Sequence, residues 1–501
     1  MQRTISTFLA FFLVSPLFSA EKAKPNIVVI LADDMGYGDV HALNPQSKIP
    51  TPNIDNLVKQ GMTFLDSHSP SAVCTPTRYG LLTGRYCWRT RLKRGVLGGY
   101  SPPLLGKDRS TIASMLKRQG YRTGGVGKWH LGMQLPKLPK KKVNLKQWSG
   151  DPGIDFAAEI PNSPIHHGFD FYFGVCASLD MAPFVYVHNN RFTMLPTIQQ
   201  PAVRFPHFVR KGPRAKDFIL DEVLDKLTDE AIGFIERSSN KVQPFFLYLP
   251  FTAPHKPTQP HKRFRGKTGL GEYGDFVAQV DWSVGQVLNA IDKNKIRENT
   301  LVVFTSDNGS YMFRFGSNQK TDHITDARKQ GYFAKNHRAN GPFRGTKADI
   351  WEGGHHLPFV VRWPGKVKPS SKCRETICHT DLYATFAEIT GAKIAYREAE
   401  DSFSLFGMMR GQDVSRGAPV IHHSGNGMFA IRDGKWKLVL GNGSGGREKP
   451  RGKPFGKPYR LFDMSTDIAE TTNVAEKHPE IVSRMVEQFK KIRNSGRSTT
   501  E

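Results

Sequence analysis

Short runs of continuous apolar residues, each ending in polar or charged side chains, dominate the pattern of this chain. Pro25 to Ala32 (Pro-Asn-Ile-Val-Val-Ile-Leu-Ala) runs into Asp33-Asp34. Tyr121 to Gly127 runs into Lys128-Trp129-His130, and Pro244 to Pro250 leads to Ala253-Pro254-His255. Leu301 to Ser306 ends in Asp307-Asn308-Gly309. Such runs read as buried parallel strands. Helical patterns fall between them. Thr51 to Gly61 combines an N-cap, a Pro at the first helical position and a closing Gly. Ser110 to Gly120 reads as a second capped helix, and Phe276 to Ile291 has helical apolar spacing. Strands alternating with helices predict a doubly wound α/β layer structure. From about residue 415 the pattern changes. Met428 to Leu440 reads as two short strands around the turn Asp433-Gly434, and a helix follows from about Glu480 to Ile492.

In open α/β sheets, ligands bind outside the carboxyl ends of the strands. The four polar ends are therefore expected to converge. Taken singly, Asp-Asn-Gly reads as a turn and a His near Pro as structural. Together, Asp33, Asp34, Asp307 and Asn308 supply only oxygen ligands. That set suits a hard cation, Ca²⁺ or Mg²⁺, rather than zinc, and its irregular carboxylate-rich character favours Ca²⁺. Arg78, Lys128, Lys347, His130 and His255 are expected around the cation, with Lys347 in the glycine-rich loop Phe343 to Gly354. Cations beside a divalent metal describe a site for a tetrahedral oxyanion ester, sulfate or phosphate. Asp180, in the segment Ser178 to Phe184, is either a ligand for a sugar hydroxyl or a structural carboxylate.

Cys74-Thr75-Pro76-Thr77-Arg78, followed by Leu82-Thr83-Gly84-Arg85, joins three further motifs: Asp33 to Asp39, Gly127 to Gly132, and Asp307 to Gly309. On these the chain resembles the formylglycine-dependent (type I), arylsulfatase-like sulfatases of the alkaline phosphatase superfamily. His167 to Asp170 and Leu461 to Met464 add to the likeness, which runs from about residue 25 to the C-terminus. The resemblance implies an α/β fold of alkaline phosphatase type, a large mixed sheet flanked by helices. It implies a catalytic domain over 21–414 and a C-terminal α+β subdomain over 415–501, an antiparallel sheet plus a helix. It further implies that a dedicated maturation enzyme oxidises Cys74 to formylglycine. In the hydrated aldehyde, one hydroxyl attacks sulfur and displaces the alcohol, leaving a sulfo-enzyme. Deprotonation of the second hydroxyl expels sulfate and restores the aldehyde, so one hard step becomes two. By the same resemblance, the oxygen of converted Cys74 joins Asp33, Asp34, Asp307 and Asn308 on the metal. Arg78 holds the hydrated aldehyde, and Lys128 and Lys347 bind sulfate oxygens. His130 takes the proton that drives elimination, and His255 is the acid to the leaving alcohol.

By overall likeness the chain leans to the arylsulfatase A and galactose- or N-acetylgalactosamine-6-sulfatase side of that family. Its rivals are a phosphate mono- or diesterase of the same superfamily and a non-catalytic polyanion-binding protein. The formal charge of +26 and the isoelectric point near 9.8 favour an acidic partner. A sulfated carbohydrate fits that role, and no nucleic-acid-binding signature stands out. The basic stretch Pro139 to Lys146 either steers such a polymer or is a solvated loop. Met1 to Ala20 reads as a secretory signal peptide, with Arg3, an apolar Phe8 to Val14 and a cleavage site at Phe18-Ser19-Ala20. The apolar run is too short to span a membrane, so a periplasmic or secreted protein is expected. Besides Cys74 there are Cys87, Cys176, Cys373 and Cys378. Cys373 and Cys378 either close a small loop or, like the others, stay as thiols. Residues 136–165 and 310–342 read as long insertions beside the active face, and Gly441 to Lys457 as a mobile Gly/Lys/Arg-rich loop.

Overall fold

The computed structural model describes residues 24–139, 148–204, 207–312 and 337–499. The signal-peptide segment, Lys140 to Lys146 of the basic stretch and 313–336 of the second insertion lie outside the described residues.

Five strands form the centre of a ten-stranded sheet. They are β1 (Asn26–Asp33), β3 (Arg122–Lys128), β4 (Phe171–Val175), β9 (Phe245–Pro254) and β10 (Thr300–Ser306). They lie side by side in the order β10-β1-β9-β3-β4, each parallel to its neighbours. Burial on both faces explains the unbroken apolar runs. Phe245 and Phe246 show the two faces directly. The Phe245 ring meets Phe234 of helix α4 (Val223–Ser239), whereas the Phe246 ring meets Phe386 of the helix Leu382–Thr390. Helix α5 (Gly271–Lys293) packs with both α4 and α1 (Pro52–Gln60). Helices α2 (Cys74–Thr83) and α3 (Ile112–Arg118) pack with Leu382–Thr390.

Outside this core the sheet is mixed. β11 (Phe359–Arg362) is antiparallel to β10, β2 (Met62–His68) is antiparallel to β11, and β12 (Ser371–Cys378) closes that edge. β5 (Val187–His188) and β6 (Arg191–Phe192) form a short antiparallel edge at the other side. A two-stranded ribbon pairs β7 (Ile198–Gln200) with β8 (Gly212–Arg214).

A separate antiparallel sheet follows in chain order: β13 (Val420–His423), β14 (Phe429–Asp433), β15 (Trp436–Val439) and β16 (Arg460–Asp463). Gly434 sits in the β14–β15 turn at φ 54°, a conformation glycine adopts without strain. Met485 and Phe489 of the helix Pro479–Asn494 join Phe429, Ile431 and Leu438 in one apolar cluster. Buried Lys437 pairs with Glu352 and Glu470 at 2.9 and 2.7 Å, tying this sheet to the loops beneath the first.

Two expectations change. Cys373 and Cys378 lie on one strand, opposite Phe64 and His68 of β2. Five residues of extended chain separate them by roughly 16 Å, beyond the reach of a disulfide. All five cysteines are free, so a reductant should leave the melting temperature of the protein unchanged. The Gly441 to Lys457 loop is also anchored. Arg447 N and Glu448 N donate to Asp349 Oδ1 at 2.5 and 2.9 Å, and Ser444 Oγ donates to the Glu448 carbonyl. Asp349 had no place in the sequence argument, yet it fixes this loop.

Gly127, at φ 132°, precedes Lys128 where β3 lies against β9. A Cβ there would sit 1.9 Å from the Pro250 carbonyl oxygen. Gly127→Ala is therefore expected to destabilise the protein by about 2–4 kcal/mol, read by denaturant unfolding.

Candidate active site

Strand register brings the polar ends together. Ala32 of β1 pairs with Ser306 of β10, so Asp33 lies level with Asp307. After a bulge Asp33 pairs with Pro254 of β9, one residue before His255. Lys128, the last residue of β3, pairs with Val175 of β4, and the chain beyond β4 leads to Asp180. Cys74 enters from a different element, as the first residue of α2, which is buried throughout. The amino end of a helix presents unpaired N–H groups and favours negative charge. Thr75 Oγ1 donates to the His130 carbonyl at 2.9 Å, which links this turn to the end of β3.

The charged groups interlock. Arg78 is fully buried and donates through Nε and Nη2 to Asp307 Oδ2 at 3.1 and 2.8 Å, and through Nη1 to the Lys128 carbonyl at 2.9 Å. Lys128 Nζ donates to Asp33 Oδ2 at 2.6 Å. Lys347 Nζ donates to both Asp34 oxygens at 2.6 and 2.8 Å and lies 3.4 Å from Cys74 Sγ. Burial and the Asp307 charge outweigh Lys128 and Arg78 and push Asp33 up to about 8. Burial also acts to raise Asp307, but Arg78, Lys128 and Lys347 prevail and hold it below the usual range. Burial raises the Cys74 thiol despite the two lysines.

Both histidines are neutral in this setting. Burial, then Lys128 and Arg78, lower His130 well below the ordinary imidazole range, and burial with Lys347, Lys128 and Lys256 does the same to His255. His130 Nε2 donates to the Leu97 carbonyl at 2.7 Å, which leaves Nδ1 as an unprotonated nitrogen without a partner. His255 Nδ1 donates to the Lys256 carbonyl at 2.6 Å, so Nε2 faces Asp34 Oδ2 at 3.6 Å.

The donor set fits a hard divalent cation. Asp33, Asp34, Cys74 and His255 each offer an atom, all within 4.8 Å of one another. The sequence had named Asp307 and Asn308 in place of His255. Asp307 is present at the same spot, but its carboxylate is turned to Arg78 and to Asp34 N. Asn308 gives its Nδ2 to Asp34 Oδ1 at 2.6 Å and leaves Oδ1 buried without a hydrogen bond; Asp33 Oδ1 also makes none, with Arg78 Nη2 3.6 Å away. Two orphaned oxygens amid three carboxylates are what a cation would satisfy.

Of these groups, Asp34, Cys74, His130, His255 and Lys347 floor a cavity of about 510 Å³. Asp180 and Ser178 line its wall, each with one buried oxygen unpartnered, Asp180 being ion-paired through its other oxygen to Arg210. Trp148, Arg210, Lys256, Asn426, Arg447 and Arg451 also line it, and none of them was singled out from sequence. Arg447 and Arg451 belong to the loop taken as mobile, whose basic glycine-rich composition was the available signal.

Comparison with known proteins gives the family. Residues 25–392 match the family model described as Sulfatase. The N-acetylgalactosamine-6-O-sulfatase of Bacteroides thetaiotaomicron is 32% identical, over 94% of this chain and 93% of its own. Human steryl-sulfatase is 29% identical, over 81% of this chain and 73% of its own. A solved Bacteroides thetaiotaomicron sulfatase, described with the metabolism of multiple glycosaminoglycans, superposes with a TM-score of 0.80 at 30% identity, covering 94% of this chain and all of its own. The fold is thus of alkaline phosphatase type, as expected, and the chain belongs to the sulfatase family, whose members hydrolyse sulfuric esters.

Proposed function

We propose that this sulfatase removes 6-O-sulfate from N-acetylgalactosamine or galactose units of a sulfated carbohydrate, outside the cytoplasm. The observation that carries the chemistry is the position of Cys74. It opens a buried helix at the cavity floor, 3.4 Å from Lys347 Nζ and among the carboxylates. The relative named N-acetylgalactosamine-6-O-sulfatase, similar over nearly the full length of both chains, supports the sugar. The Met1 to Ala20 pattern supports export.

In this reading Cys74 acts as formylglycine, supplied by a maturation enzyme. Its hydrate has two hydroxyls on one carbon, one to attack sulfur and one to expel sulfate afterwards. Asp33, Asp34, Asp307 and Asn308 hold Ca²⁺, which when bound lowers the cost of negative charge at the nucleophile and the sulfate. Arg78 steadies the hydrate, and Lys128 and Lys347 grip sulfate oxygens with charge-assisted hydrogen bonds. The free Nδ1 of His130 is an acceptor for the proton that leaves in the second step. His255 Nε2 is the atom placed to protonate the departing alcohol, after the ring, kept neutral by burial and then by Lys347 and Lys128, has taken up a proton there beside the bound sulfate. Asp180 Oδ1 is free to accept from a sugar hydroxyl.

The test is inorganic sulfate release from defined saccharides sulfated at single positions, using protein co-expressed with a maturation enzyme. Release from 6-sulfated N-acetylgalactosamine or galactose alone supports the proposal. Release only from other positions, or from phosphate esters, defeats it. His130→Ala should produce a single burst of alcohol and then stall about 10²–10⁴-fold slower, because elimination lacks its base. Steady, unstalled turnover would remove His130 from that role.

A further inference from the structure

We propose that the cavity holds a second anion-binding subsite, formed by Arg210, Lys256 and the anchored loop residues Arg447 and Arg451, which takes an acidic group on the sugar next to the one desulfated. This deepens the functional reading above and rests on it. The substrate class becomes a glycan carrying at least two acidic groups on neighbouring sugars.

The first argument is charge. Five cationic side chains line the cavity against two carboxylates, Asp34 and Asp180. Lys347 is matched by Asp34 at the floor, and Arg210 by Asp180 on the wall. Arg451 has no such counterpart, and Lys256 feels the Asp180 charge without pairing to it directly. Lys256 forms no ion pair among the described residues, and exposed Arg451 forms no side-chain hydrogen bond or ion pair there. A sulfate monoester brings one negative charge, which Lys347 at the floor and the buried Lys128 and Arg78 behind it would meet once a cation takes over their carboxylates. The charges of Lys256 and Arg451 are thus left for a group beyond the reacting one.

The second argument is geometry. Lys256 Nζ lies 4.5 Å from the Phe208 ring centre, and the Arg210 guanidinium lies 4.9 Å from the same ring. Arg210 also lies 5.2 Å from the ring of Trp148. Asp180, ion-paired to Arg210, offsets part of the repulsion between these two charges, and an acidic ligand group beside them would offset more. The opposite rim is equally organised. Asp349 fixes the backbone of Arg447 and Glu448, and Gly445 N donates to the Arg451 carbonyl at 2.7 Å. The loop therefore holds its arginines at the opening. Guanidinium groups suit carboxylate and sulfate alike through paired N–H donors.

The experiment is calorimetric binding to the full-length, calcium-loaded Cys74→Ala protein. Three disaccharides share one 6-sulfated N-acetylgalactosamine and differ in the neighbouring sugar: neutral, carboxylated or sulfated. The expected result is binding about tenfold tighter for an acidic neighbour, the scale of one charge-assisted contact. Whether the carboxylate or the sulfate gains more identifies the natural group. Lys256→Met and Arg451→Ala, each added to that protein, should bring the ratio towards one, with circular dichroism unchanged. Equal affinity for all three, a preference that survives both substitutions, or no binding at all overturns the proposal. Failure of the desulfation reading is seen separately, as no sulfate release from any of the three by matured wild-type enzyme.

Discussion

Cys74→Ala abolishes sulfate release, lowering turnover by at least about 10³-fold, while the protein melts within a few degrees of the parent. The two halves of this result have different causes. Cys74 is buried, yet it faces a polar cavity and Lys347 rather than the apolar core. Its removal therefore leaves no apolar void, and alanine suits the first turn of a helix. Chemically, the substitution removes the only carbon on which two hydroxyls can be assembled. Cys74→Ser is the sharper companion. A serine hydroxyl in the same place can attack sulfur once, but it has no second hydroxyl to expel the sulfate. It should capture one sulfate covalently and stop, a change visible by intact-protein mass spectrometry. Multiple turnovers by either variant would exclude the two-hydroxyl scheme.

The convergence of the candidate site was legible because its residues follow strand ends. Asp33, Lys128, His255 and Asp307 each terminate an apolar run, and parallel register makes the ends of such runs neighbours. The helices Pro52–Gln60 and Pro479–Asn494 and the β14–β15 hairpin also declared themselves, through a proline start, apolar spacing and Asp-Gly. What stayed hidden depends on contacts between distant segments. Arg210 and Lys256 meet through Phe208, and the Gly441 to Lys457 loop reaches the cavity only because Asp349 ties it there. No local pattern encodes either fact. The disulfide alternative failed for a related reason. Closeness in sequence is distance in space when both cysteines lie on one extended strand.

Calcium should raise the melting temperature more at pH 8 than at pH 6. In the ion-free site, burial and Asp307 raise the Asp33 carboxyl from 3.8 to about 8. A carboxyl raised on folding supports the folded state fully below its unfolded value, and that support is lost as pH climbs through the folded one. Metal-free protein should therefore lose stability from about pH 4 to about pH 8 through this group. Below pH 8 a cation must displace the proton on Asp33, whereas above it the carboxylate is already ionised. Calcium at 100 times its dissociation constant adds about 2.7 kcal/mol, on the order of a few degrees in a chain of this size. Chelation should reverse the shift and remove turnover together, and calcium should restore both. Asp33→Asn should flatten the pH dependence of the shift, since asparagine neither titrates there nor needs to shed a proton. A calcium shift of equal size at both pH values would mean that Asp33 is not the group the cation competes for. No shift at either pH would mean that Lys128 and Arg78 alone neutralise the carboxylates, as the 2.6 Å Lys128–Asp33 pair begins to do.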